Sequence, residues 1–243
     1  MLGAMKIMAA FLALAAALAA PAAPAAAAER SYSVTDFDRI VVEGPFTVRL
    51  ATGRPSSATA TGSAQALERV SVEVTGRTLR IRPNRAISSG SSGGGAAGPV
   101  SIAVSTRELR AATVTGPADL AIDRASGLRL ELSLEGTGRI AVPSVSADNL
   151  VVGIIGSGRI QLAGTAKELR ASVHGWADLD ASALTAQGAS VVTDSAGRVA
   201  LTVAREAAVT SNGIGEVEIL GRGTCNVTGL SAASVRCGRS DQR

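Results

Sequence analysis

Across 243 residues, 24 Lys and Arg stand against 20 Asp and Glu, a net charge of +4, with one Trp, one Tyr and three Phe. The basic residues are scattered between acidic ones, and the aromatics are too few to form a stacking platform, which excludes a nucleic-acid binder. One histidine and two cysteines supply no zinc-type ligand set, and no calcium-binding nonapeptide repeat is present, so no metal or cofactor is expected.

The N-terminal stretch differs in composition from the rest of the chain. Lys6 gives positive charge, residues 7–20 are almost wholly apolar, and residues 21–28 end in small side chains before Glu29. This is the pattern of a secretory signal peptide over 1–28, cut after Ala28. Its apolar part is too short for a membrane span, and no stable span is expected once it is removed. Residues 29–243 then suffice for one domain with a sizeable core. The expected location is the periplasm or cell surface of a Gram-negative bacterium.

Residues 34–50 begin a row of alternating apolar residues, Ile40, Val42, Val48 and Leu50, with Phe46 where later rows carry glycine or alanine. We expect this to be an atypical terminal row, with Phe46 plugging the end of the core. Residues 70–74 and 78–82 predict two strands around a tight turn at Gly76. Residues 87–98 are Gly/Ser-rich, with little to bury, and predict a flexible surface loop.

From residue 112 onward the chain repeats. Gly116 and Ala118, Gly136 and Gly138, Gly156 and Gly158, Gly175 and Ala177, Ser195 and Gly197, and Gly213 and Gly215 align at offsets of 20, 20, 19, 20 and 18 residues. Two before the first member stand Val114, Leu134, Ile154, Val173, Thr193 and Ser211. Four after it stand Leu120, Ile140, Ile160, Leu179, Val199 and Val217. Even spacing in extended chain puts these residues on one side, and a fixed period near 20 is the signature of stacked repeats. The expected fold is an all-β, single-domain β-solenoid (β-helix-like) with rows of about 20 residues and an irregular N-terminal part. The paired small residues would turn each row at a bend, and the polar stretches 143–149 and 163–168 would be connecting loops.

A charged column stands three residues after each first glycine: Asp119, Arg139, Arg159, Asp178, Arg198 and Glu216. Rows lie about 4.8 Å apart. Opposite charges at 119–139, 159–178, 178–198 and 198–216 would therefore form a ladder that sets register, and only 139–159 repels. Toward the end, residues 224–238 form a candidate cap. Cys225 and Cys237, 12 residues apart, are expected to pair as a disulfide in an exported chain.

The stretch FDRIVVEGPFTVRLATG at 37–53, VEVTGRTLRIRP at 72–83, and then TGPADLAI, GSGRIQLAG and NGIGEVEILGRGTCNV resemble the putative auto-transporter adhesin, head GIN domain family. The likeness runs over essentially all of 29–243. It implies a β-helix-like fold, export and an adhesive role, and no catalytic residues.

The residues alone offer one place where a histidine, a tryptophan and carboxylates converge: His174, Trp176, Asp178 and Asp180. Asp178 and Asp180 are two apart and share the outer face of a strand, as a carbohydrate-active enzyme or a glycan-binding patch would require. Exposed polar residues on strands are also ordinary solvated surface. The reading is therefore a non-enzymatic envelope or surface protein that meets an unknown envelope, surface or glycan partner as a monomer. The alternatives are glycan chemistry or binding at His174, Trp176 and Asp178, and a purely structural periplasmic protein.

Overall fold

The computed structural model describes residues 28–84 and 98–238. Residues 1–27 of the expected 1–28 leader and residues 87–97 of the Gly/Ser-rich 87–98 stretch lie outside the described residues. The N-terminal part comprises strands β1 (Ala28–Tyr32), β2 (Arg39–Glu43), β3 (Thr47–Thr52) and β4 (Ser57–Gly62), the short helix α1 (Ala64–Glu68), then β5 (Val70–Thr75) and β6 (Thr78–Pro83). Ser63 caps α1 by accepting from the Ala66 N–H at 3.1 Å. As the sequence predicts, β5 and β6 pair antiparallel around Gly76 and Arg77.

The stack continues with β7 (Ser101–Thr106), β8 (Ala111–Thr115), β9 (Asp119–Ile122), β10 (Ala125–Gly136), β11 (Arg139–Gly156), β12 (Arg159–Gly175), β13 (Asp178–Ser195) and β14 (Val199–Ser211). It ends with β15 (Val217–Gly221), β16 (Thr224–Thr228) and β17 (Val235–Cys237). From β8 onward every pairing is parallel and in the expected register: Leu134 opposes Val114 and Ile154, and Ile140 opposes Leu120 and Ile160. This is the β-solenoid that the 20-residue period predicts.

Two expectations need correction. The stretches 143–149 and 163–168 are not loops. Strand β11 runs through the first, and Val145, Ser146 and Ala147 pair with residues 125–127 on one side and 164–166 on the other. Burial reverses parity twice here, from Ile140 and Val142 to Val145 and Ala147, then to Leu150 and Val152. Each full row therefore has three sides. The middle one is only about three residues long, too short for its alternation to show.

The row of residues 34–50 is also not terminal. Strand β2 pairs with β6 on one side and β8 on the other, and β3 likewise lies between β7 and β9. Rows thus stack in the order β6/β7, β2/β3, β8/β9. Phe46, 7% exposed, fills the core inside the stack and does not plug its end. That end is covered by antiparallel neighbours, β5 on β6 and β4 on β7 with β1 beyond it. Antiparallel pairing protects strand edges that would otherwise invite aggregation.

One apolar column structure fills the interior, and each fully buried Leu or Ile, such as Leu132, Leu134, Ile140 and Leu150, contributes about 1.5–3 kcal/mol. At the glycine corner the two members of each pair have different tasks. Gly156 turns the chain with φ +123°, and a Cβ there would lie 2.5 Å from the Gly136 carbonyl oxygen. Gly138 points inward, where a Cβ would lie 2.3 Å from the Ala118 carbonyl. Ser195 replaces a corner glycine, and its hydroxyl donates to the Ala177 carbonyl and accepts the Gly197 N–H. At the far end Cys225 and Cys237 form the expected disulfide. It ties β16, which pairs with β14, to β17, which pairs with β15.

Candidate functional site

The four residues singled out in the sequence fall on two strands and the corner between them. His174, near the end of β12, stacks in register between Ile155 and Asp194, and its Nε2 lies 3.0 Å from the Ser172 hydroxyl. Trp176 sits at the corner itself. Its backbone N–H donates to the Gly156 carbonyl at 2.7 Å, while 72% of the residue is exposed.

Asp178 and Asp180 do share the outer face of β13, as their spacing requires. Their carboxylates have separate partners. Asp178 accepts from the Arg159 guanidinium at 2.6 Å and from the backbone N–H of Arg198 at 2.9 Å. The Arg198 N–H, and then the Arg159 hydrogen bond, hold this carboxyl below the usual carboxylate range. Asp180 accepts instead from the Ser182 hydroxyl at 2.6 Å and from the Ser182 backbone N–H at 3.3 Å.

Of the four opposite-charge pairs expected in the column, one forms as an ion pair, and Asp178 meets Arg198 only through its backbone N–H. Arg159–Asp178 forms as expected. Arg198 reaches Glu218 rather than Glu216, and Glu216 instead pairs with Arg236 at 2.7 Å. Asp119 and Arg139 stand opposite each other in register, but neither has an ion pair among the described residues. Around this column lies a groove of about 210 Å³ lined by Asp119, Thr137, Arg139, Ser157, Arg159 and Asp178. It includes Asp178 but not His174, Trp176 or Asp180.

The larger concavity is one that the sequence reading missed. A trough of about 700 Å³ runs across the stacked rows beside the turn from the first side to the second, within the size range of small-molecule sites. Its outward column is in register throughout: Ala103, Arg49, Ala121, Ala141, Gln161 and Asp180. Pro143, Ala163 and Ala183 form the opposite wall, and Leu50, Ile122, Val142 and Leu162 lie beneath. Alanine at outward positions 121 and 141, where solvated charge is the norm, is the one signal in the sequence that pointed here. Asp123 on the wall is held in place by the Thr52 N–H at 3.0 Å. Arg49 is exposed and has no ion pair among the described residues.

Among the described residues no helix is long and apolar enough to cross a membrane, which says nothing of β-barrels. Residues 36–223 match the family described as putative auto-transporter adhesin, head GIN domain. Among solved structures, a putative adhesin from Bacteroides fragilis is 17% identical, with a TM-score of 0.72 over 84% of this chain and 94% of that one. A putative lipid binding protein from Parabacteroides distasonis is 18% identical, with a TM-score of 0.66 over 88% and 97%. A putative adhesin from Parabacteroides merdae is 15% identical, with a TM-score of 0.63 over 88% and 96%. At these identities the likeness shows the fold alone. A comparison with curated proteins finds no match.

Proposed function

The chain belongs to the putative auto-transporter adhesin, head GIN domain family, and from that premise we propose that it is an exported envelope or surface protein that works by binding, without catalysis, through the outer faces of its solenoid. The leader-like segment over 1–28 supports export, as does the disulfide. The observation that carries the binding reading is the large trough across the stacked rows. The carboxylates, by contrast, are dispersed: Asp178 is committed to register and Asp180 faces a different concavity. Glycoside chemistry needs two carboxylates flanking one cleft. The description of the P. distasonis protein as lipid binding supports a ligand-holding role on this fold as much as a purely adhesive one.

A second reading keeps the corner. Trp176 is 72% exposed, and an exposed indole beside polar groups is a natural platform for a sugar ring. Both readings are tested by probing arrayed glycans, peptidoglycan fragments and membrane lipids with the purified protein, alongside Trp176→Ala. Retention on at least one class supports binding. Retention lost in Trp176→Ala assigns it to the corner. No retention on any class overturns the proposal.

A further inference from the structure

The trough has a shape, a polarity and a charge at one end that together specify a ligand chemistry. Resting on the binding reading above, we infer that it holds a single-chain anionic amphiphile, with the acidic head on Arg49 and the acyl chain lying across Ala121 and Ala141 toward Gln161 and Asp180.

The register carries the length. From Arg49 the column passes Ala121, Ala141 and Gln161 to Asp180. At about 4.8 Å per row these four steps span about 19 Å. A membrane's hydrocarbon layer of about 30 Å is two acyl chains end to end, so one chain reaches about 15 Å. A single chain therefore fits between the cation and the polar end.

The lining carries the polarity. The alanines at 121, 141 and 163 present only methyl groups, Pro143 adds an apolar wall, and Ile122, Val142 and Leu162 lie beneath. Such a surface holds a chain by removing apolar area from water. Gln161, Asp180 and Ser182 lie in the far rows, and Asp123, in the row next to Arg49's, lines the near end. An apolar middle with a cation at one end and a polar limit at the other matches an amphiphile.

The charge carries the head group. Arg49 lies between Ala103 and Ala121 in register and has no ion pair among the described residues. The guanidinium fork recognises a carboxylate or a phosphate bidentately. The nearest acidic wall residue, Asp123, turns its Oδ1 to the Thr52 and Arg124 N–H groups and makes no ion pair with Arg49. A free fatty acid and a lysophospholipid both supply this chemistry.

The test is a solution titration of the whole protein with palmitate, lysophosphatidylglycerol and neutral hexadecanol, followed by displacement of a fluorescent fatty acid. Saturable binding of palmitate or of lysophosphatidylglycerol is expected, and which of the two binds distinguishes a fatty acid from a phospholipid source. Ala141→Arg, which fills the middle of the trough from an outward position, should weaken binding at least tenfold with unchanged melting. Arg49→Gln, which leaves the trough open, should weaken the anionic ligand about tenfold and leave hexadecanol unchanged. The inference is overturned if neither anionic ligand saturates, or if Ala141→Arg binds as wild type. It also fails if Arg49→Gln affects hexadecanol as much as palmitate. Glycan retention on the array with no amphiphile binding removes this inference and leaves the broader proposal standing; no retention anywhere removes both.

Discussion

Gly156 and Gly53 both have positive φ, +123° and +74°, yet only one has a crowded Cβ position. At Gly53 a Cβ meets nothing within 4 Å, so Gly53→Ala costs only the left-handed backbone penalty, about 1 kcal/mol. At Gly156 the added atom lies 2.5 Å from the carbonyl of the row below. Overpacking then adds to backbone strain, and Gly156→Ala should destabilise by about 3 kcal/mol. Denaturant unfolding of the two variants checks this, and equal losses would mean the row spacing is not what limits the corner. Asp178 gives a second residue-scale prediction. Its carboxyl is held below the ordinary range, so its stabilising contribution is present above that range. The contribution is lost as pH falls through the lowered folded pKa. The melting difference between wild type and Asp178→Asn should therefore shrink on acidification. Asp178→Arg should melt lower at neutral pH, by about 1 kcal/mol in stability, because it places four consecutive arginines, at 139, 159, 178 and 198, in one column. Unchanged melting of both variants would remove the ladder as a register device.

At the scale of elements, what the sequence showed and what it concealed have the same cause. A side whose alternation runs over four or more residues, such as β9 or the first part of β11, declares itself by period two. The middle side does not, because Val145 to Ala147 offers one repeat between two reversals of parity. The N-terminal order was hidden for another reason. Pairings such as Val48 with Ile102 and Ile40 with Leu79 join distant segments, and nothing in the local pattern of residues 34–50 tells that another row lies outside it. The disulfide was legible from spacing and context. It closes a loop of 12 residues across the two last short strands, and replacing both cysteines by serine should cost about 2–3 kcal/mol. Hydrogen exchange should show β15, β16 and β17 losing protection first while β10 to β12 keep theirs. Uniform loss would mean that the stack unfolds as one unit irrespective of its end.

For the whole molecule, the solenoid is a stack of rows, parallel from β6 and β7 onward, whose outer surface is set by register. Residues far apart in sequence, Arg49, Ala121 and Ala141, become neighbours in one column because the rows align. This is why the trough escaped a reading by residue type. His174, Trp176, Asp178 and Asp180 drew attention by chemistry and proximity in the chain, but the glycine corner separates the first from the last two. A concavity is a property of stacked corners, and no single row contains it. The proposal that the chain works by binding along the stack, without catalysis, rests on this dispersal of its carboxylates. The most direct measurement of that claim is an assay of polysaccharide turnover by the purified protein, with Asp178→Asn run beside it. No turnover by either protein is expected, whatever ligand the wild type retains. Turnover by the wild type that disappears in Asp178→Asn would contradict it.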